Sequence, residues 1–191
     1  LGLACDPHEF LKMMLDAPPA SIPSGRGEWI AKLNSVHRGL MHWDEISSND
    51  GVVFGRVTRA VDRHLESDAV VTYDAGNFTG WVNRYIHLTQ RNMFIGATVG
   101  AMGAAVPSGV AAGLSAPGRQ IVTFVGDGGL MMTGNELATA MHYGVPIKII
   151  VANNATFGTI RMHQARSFPG RVTSTALTNP DFAAWGESFG A

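Results

Sequence analysis

The chain has 191 residues, a formal net charge of −1 at pH 7, 46% hydrophobic residues and only 15% charged ones. That apolar content supports one good-sized core and excludes disorder as the main state, while the balanced charge excludes the basic field that nucleic acid or an anionic membrane requires. The single cysteine, Cys5, excludes a disulfide framework and a cysteine-based zinc site. A chain with 23 glycines and few charges, against an average domain's ~7% Gly and ~25% charge, is expected to bury much of its surface against something else.

The sequence opens at Leu1 without Met and stops at Gly190-Ala191, just after a helical-looking stretch over Asp181–Phe189. Neither end carries a secretion or lipidation pattern, and the chain is expected to be a piece of a longer, cytoplasmic protein. Residues 1–45 form an irregular arm, broken by Pro18-Pro19, Pro23 and Gly25–Gly27. Within it the spacing of Trp29, Ile30, Leu33, Val36 and Leu40 predicts an amphipathic helix over 28–43. From residue 46 onward, helices and apolar strands alternate. Asn49 or Asp50 is expected to cap a helix whose stripe is Val53, Val57, Val61 and Leu65. Ala69–Tyr73 then reads as a short strand ending in Asp74-Ala75-Gly76-Asn77. The charge-free run Ile95–Leu114 holds five glycines and Pro107. It is expected to be a tightly packed buried segment rather than a membrane span, with a helix from Pro107 to Ser115.

The clearest unit is Ile121–Asn154. Ile121–Val125 is a continuous apolar run, as in a strand buried on both faces. Gly126-Asp127-Gly128-Gly129 is expected to turn the chain, and Thr133 with Glu136 has the spacing of a capping box for a helix to about Tyr143. Gly144 and Pro146 stop that helix, and Ile147–Ala152 is a second buried strand ending at Asn153-Asn154. Strand, helix, strand in about thirty residues makes a βαβ unit with parallel strands. The fold class is therefore α/β, a mainly parallel sheet with helices on both faces.

Ligands of open parallel sheets sit at the carboxyl ends of the strands. Three such ends, Asp74–Asn77, Gly126–Gly129 and Asn153-Asn154, converge if their strands are neighbours. Gly126, Gly128 and Gly129 permit unusual φ angles and bring backbone N–H groups near a ligand, which favours a phosphate. The turn reads G-D-G-G-L-M, not the G-x-G-x-x-G of a dinucleotide site. A carboxylate there suits a phosphate only through a divalent cation, and Asp127 with Asn154 offers the hard oxygen donors Mg²⁺ demands. Alternatively, Asp127 is a helix cap and Asn153-Asn154 an ordinary turn.

Gly126-Asp127-Gly128, then 24 residues, then Asn153-Asn154 resembles the signature of thiamine-diphosphate-dependent enzymes, and the text from Asn153 through Gly158 to Gln164 resembles the acetolactate synthase / benzoylformate decarboxylase superfamily. The resemblance covers residues 45–191 and implies the diphosphate-binding module, truncated at its C-terminus. The arm before it resembles a linker from a preceding middle domain. The resemblance implies Asp127, Asn154 and the carbonyl of Thr156 as Mg²⁺ ligands. It places Gly76 and Asn77, then Gly126 with Gly128, Gly129 and Leu130, around the diphosphate. Gly100 and Met102 would hold the aminopyrimidine, with Met102 the apolar wedge. Phe157, Gly158, Thr159 and Ile160 would cover the diphosphate and line the substrate side. Phe78, where relatives often carry a polar residue, cannot donate a hydrogen bond.

The family's activating glutamate belongs to a separate pyrimidine-binding domain, usually of a neighbouring subunit. Glu136 does not replace it, so no catalytic residue is assigned in this chain and the chain alone is expected to be inactive. The implied enzyme is a homo-oligomer, dimer or tetramer, acting on a 2-oxo acid. It would be an acetolactate-synthase-like carboligase or, alternatively, a benzoylformate-decarboxylase-like 2-oxo-acid decarboxylase. Any FAD requirement stays open. From another class, a metal-independent nucleotide- or flavin-binding module and a vestigial structural piece remain alternatives. His163 follows the cofactor loop and faces either the substrate channel or solvent; the other histidines lack ligand-like spacing.

Overall fold

The computed structural model describes residues 2–18 and 20–191; Leu1, and Pro19 of the predicted Pro18-Pro19 break, lie outside the described residues. The chain divides into two compact units, Leu1–Trp43 and Asp44–Ala191.

The first unit holds α1 (Pro7–Asp16) and α2 (Arg26–Leu40). Asp6 caps α1 by accepting from the His8 and Glu9 amides, as Asp before a helical proline does. The helix expected over 28–43 starts two residues earlier and stops at Leu40. Neither helix buries a residue within its own unit, and Trp29, Ile30, Leu33, Val36 and Leu40 all stay exposed.

In the second unit four strands form one parallel sheet, ordered β2 (Met93–Gly96), β1 (Val70–Tyr73), β3 (Ile121–Gly126) and β4 (Ile147–Ala152). β1 pairs with both β2 and β3, and β3 runs in register with β4 from Ile121↔Ile147 to Gly126↔Ala152. Alternate residues of the strands serve opposite faces. Val71, Val122 and Phe124 pack with Phe54, Val61 and Leu65 from α3 (Phe54–Asp62) and its continuation, and with Val82 of α4 (Thr79–Tyr85). On the other face Val125, Ile149 and Val151 meet Ala105 and Val106 of α5 (Ala105–Ser115), together with Leu130, Phe182 and Trp185. Helices cover both faces, as the α/β reading requires.

Three local expectations are corrected. The α3 helix begins at Phe54, with Val53 as N-cap and no side-chain cap. Neither Asn49 nor Asp50 caps it, because the Ser48 hydroxyl closes a local turn by bonding the Asp50 backbone, and Gly51 follows at φ +70°. The core-facing stripe is therefore Phe54, Thr58, Val61 and Leu65: Val61 and Leu65 of the expected series face the core, and Phe54 and Thr58 take the places expected for Val53 and Val57. The capping box at Thr133 and Glu136 does not form. Thr133 Oγ1 donates to the Gly103 carbonyl, Glu136 accepts from Thr139 Oγ1, and the region is a helix α6 (Asp127–Thr133), a 3₁₀ turn (Gly134–Glu136) and a helix α7 (Leu137–Tyr143). The run Ile95–Leu114 is not uniformly buried: it ends β2, forms a loop in which Val99 is exposed, and then enters α5. Among the described residues no helix is long and apolar enough to cross a membrane.

Close packing explains α5. A Cβ at Gly109 would lie 2.5 Å from both Ile147 Cδ1 and Thr123 Oγ1, so the helix rests directly on the sheet. Below it Thr72 Oγ1 donates to the Ala105 carbonyl and lies 2.7 Å from Thr123 Oγ1, which satisfies hydroxyls that burial would otherwise penalise.

Candidate functional site

β1, β3 and β4 are adjacent, so their carboxyl ends come together as the strand pattern implies. Past these ends lies a cavity of about 560 Å³. Its walls contain every residue that the resemblance assigned to cofactor or metal except Leu130: Gly76, Asn77, Gly100, Met102, Gly126, Asp127, Gly128, Gly129, Asn154, Thr156, Phe157, Gly158, Thr159 and Ile160. The Leu130 side chain points into the core beside Ala105, Val106 and Val125. Phe54, Phe78 and Trp81 complete an aromatic wall.

Gly126-Asp127-Gly128-Gly129 is not a turn with unusual φ angles, as the sequence reading expected. The chain passes from β3 straight into α6 at Asp127, and none of Gly126, Gly128 or Gly129 has positive φ. Gly128 and Gly129 are required by space. A Cβ on Gly128 would sit 2.6 Å from the Phe157 ring and 3.2 Å from Met102 Cε, and one on Gly129 would sit 2.0 Å from Asp74 Oδ2. Positive φ appears instead at Gly100 and Gly103, flanking Met102, where glycine avoids the left-handed penalty.

Asp74 is only 1% exposed and accepts from the amides of Gly103, at 2.7 Å, and Ala104, at 3.1 Å. Its carboxylate thus satisfies free donors at the start of α5 and is committed to the loop carrying Met102 rather than to the cavity. Phe78 packs edge-on to Phe54, with centroids 6.0 Å apart, and closes over Gly76 and Gly126. Asn77 is joined to α8 (Gly158–Ser167) through Thr159 Oγ1, which accepts from the Asn77 amide and donates to Asn77 Oδ1.

Asp127 is 3% exposed. Its Oδ1 accepts from the Gly128 amide at 2.9 Å and its Oδ2 from Asn179 Nδ2 at 2.8 Å. The same Asn179 nitrogen donates to Asn153 Oδ1 at 2.9 Å. Asn154 Oδ1 accepts from the Thr156 amide at 3.2 Å, and Ala155 between them adopts φ +51°. An antiparallel bridge between Thr156 and Ala176 brings the Asn179 segment here, with the Phe157 amide donating to the Thr175 carbonyl and the Leu177 amide to the Ala155 carbonyl. Asn179 was not anticipated from sequence; its one local cue is its place two residues before Asp181, which caps α9 (Phe182–Ser188). His163 is exposed, pairs with Arg166 3.0 Å away, and does not line the cavity.

The donor set passes a chemical test for a hard cation. Asp127, Asn154 and Thr156 all line the cavity, and carboxylate, amide and carbonyl oxygens are the kind Mg²⁺ prefers in combination with phosphate oxygens. Among the described residues no cluster of three or more His, Cys, Asp or Glu could hold a metal, so any metal here needs amide, carbonyl or ligand oxygens besides Asp127.

A parallel α/β sheet whose strand ends open into a cleft with one carboxylate and bare glycines is an arrangement in which phosphate-bearing ligands commonly bind. The family described as thiamine pyrophosphate enzyme, C-terminal TPP binding domain, matches residues 74–191, and the chain belongs to that family. It is 29% identical over 169 residues to the acetolactate synthase large subunit of Parasynechococcus marenigrum (strain WH8102), covering 85% of this chain and 26% of that protein. It is 37% identical over 129 residues to pyruvate oxidase of Lactiplantibacillus plantarum, covering 67% of this chain and 21% of that one. A solved thiamine diphosphate-dependent 4-hydroxybenzoylformate decarboxylase from Rhodococcus jostii RHA1 shares the fold, with a TM-score of 0.71 at 23% identity over 78% of this chain and 28% of that one. The chain spans about a quarter of the length of these relatives.

Proposed function

We propose that the cavity binds thiamine diphosphate through a Mg²⁺ ion held by Asp127, Asn154 and the Thr156 carbonyl, and that the whole protein acts on a 2-oxo acid. The observation that carries this reading is the convergence of Asp127 and Asn154, from the ends of adjacent strands, on one glycine-floored cavity. Gly76, Asn77, Gly128 and Gly129 would bear on the diphosphate; Gly100 and Met102 would support the pyrimidine side; Phe157 to Ile160 would cover the ligand. When bound, the cofactor supplies a carbon nucleophile that adds to a 2-oxo carbonyl and holds the electron pair as CO₂ leaves. This chain's residues bind and orient it, and the apolar wall of Phe78, Phe157 and Met102 excludes water from that side.

An acetolactate-synthase-like carboligase is the first reading, and the aromatic wall supports a decarboxylase of aryl 2-oxo acids as the second. The activating carboxylate would come from a pyrimidine-binding domain of a neighbouring subunit in a homo-oligomer. The 191-residue chain on its own is accordingly expected to show no CO₂ release from pyruvate or benzoylformate, and measurable release by the purified chain would refute that assignment.

Titrating the intact protein with thiamine diphosphate in a calorimeter tests the binding reading. Binding is expected in Mg²⁺ and lost in EDTA. Undiminished binding in EDTA would instead support a metal-free nucleotide- or flavin-type site.

A further inference from the structure

We propose that Asn179 is a positioning residue for the cation site: its amide fixes the Asp127 carboxylate and ties it to the Asn153-Asn154 strand end. This rests on the reading of Asp127 and Asn154 as cation ligands. Asn179 Nδ2 spans Asp127 Oδ2 and Asn153 Oδ1, at 2.8 and 2.9 Å. The amide orientation is settled by chemistry. Turning it over would set Asn179 Oδ1 against two acceptors, since Asp127 ionised only accepts and Asn153 Oδ1 already accepts from the Ala155 amide at 3.3 Å.

In that orientation Asn179 Oδ1 is buried and has no hydrogen-bond partner. Buried acceptors are ordinarily paired, and an orphan here serves no packing need, because an apolar side chain of the same size would avoid it. What an apolar side chain cannot do is donate to both strand ends. The bridge also has the geometry a cation ligand needs. One donor on each oxygen, Gly128 N–H on Oδ1 and Asn179 on Oδ2, locks the carboxylate plane. About two lone-pair sites per oxygen leave one on each for a metal. Asn179 lies 52 residues from Asp127 and 26 from Asn153, so it joins the ends of two adjacent strands by a contact independent of the β3–β4 ladder. Partners that orient metal ligands typically change metal affinity by about 10–100-fold when removed.

The test uses the intact protein and two variants, Asn179→Leu, close in size without donors, and Asn179→Ser, too short to span both oxygens. Thiamine diphosphate binding is followed by calorimetry across Mg²⁺ and, separately, Ca²⁺ concentrations, with circular dichroism reporting the fold. Both variants are expected to need about 10–100-fold more Mg²⁺ for half-maximal binding and to lose part of the preference for Mg²⁺ over the larger, geometrically tolerant Ca²⁺. A residue that merely stabilises the loop would move the melting temperature and leave the cation preference alone. An unchanged Mg²⁺ midpoint and unchanged preference in the folded variants overturns the proposal while the wild type still requires Mg²⁺. Should the wild type bind fully in EDTA, the cation reading itself falls, and this proposal with it.

Discussion

Asp127→Ala is expected to lower Mg²⁺-dependent affinity for thiamine diphosphate by at least about 100-fold, some ~3 kcal/mol at ~1.4 kcal/mol per tenfold. The size follows from the cavity's composition. Asp127 is, among the described residues, the one ionisable side chain in its lining, so no lining neighbour can supply the lost charge, and the remaining donors are neutral oxygens. Asp127→Asn keeps the size and one oxygen but sets its amide nitrogen against either the Gly128 or the Asn179 donor, and is expected to lose most of the same affinity. Calorimetry of both variants in Mg²⁺ decides the matter. A metal-free site predicts indifference to either change, and such indifference would remove the basis for placing the cation on this wall.

Gly129→Ala is expected to be the most damaging single methyl that can be added to the site. Its Cβ would stand 2.0 Å from Asp74 Oδ2 and 3.3 Å from Val125 Cγ2. Asp74 cannot retreat cheaply, because it is buried and holds the Gly103 and Ala104 amides. Overpacking ordinarily costs about 1–3 kcal/mol; displacing a buried carboxylate from its donors adds to it, and a loss of about 3 kcal/mol or more is expected in chemical denaturation. The double variant Gly129→Ala with Asp74→Ala should be less destabilised than the sum of the singles, since the clash vanishes with the carboxylate. Strict additivity would show that the two residues do not oppose each other, as neighbours sharing a contact should.

Much of this domain was legible in its sequence, for identifiable reasons. β3 is a continuous apolar run stopped by glycine, and the structure places it buried at Ile121–Gly126; β4, Ile147–Ala152, is found where expected but is half-buried rather than buried, because it lies at the sheet edge and carries an exposed Lys148. The cavity wall followed from putting strand ends together, which needs β1, β3 and β4 to be neighbours, as the strand order makes them. What escaped depended on tertiary partners. β2 is a four-residue edge strand with an exposed Met93, too short to carry a period. The capping-box spacing at Thr133 was misleading because the Gly103 carbonyl, thirty residues away, took the hydroxyl. Glycine content was a sound pointer to the site, but at Gly128 and Gly129 the requirement is room for Phe157, Met102 and Asp74, and unusual φ belongs to Gly100 and Gly103 instead. Asn179 was invisible because its donors are used by groups far off in sequence, and no local pattern encodes such a contact.

The wall formed by α8 differs in kind from the rest of the cavity. This helix buries none of its ten residues, and it is retained by the Asn77–Thr159 pair at its start and the Thr156–Ala176 bridge at the base of its loop. Few apolar contacts are lost when such a segment lifts, so its opening free energy lies near the bottom of the range that spans from fraying loops to global unfolding. The sheet, glycine floor and Asp127 belong to the opposite end of that range. Movement of this one side of the cleft is therefore decoupled from the melting of the sheet and the glycine floor that carry Asp127.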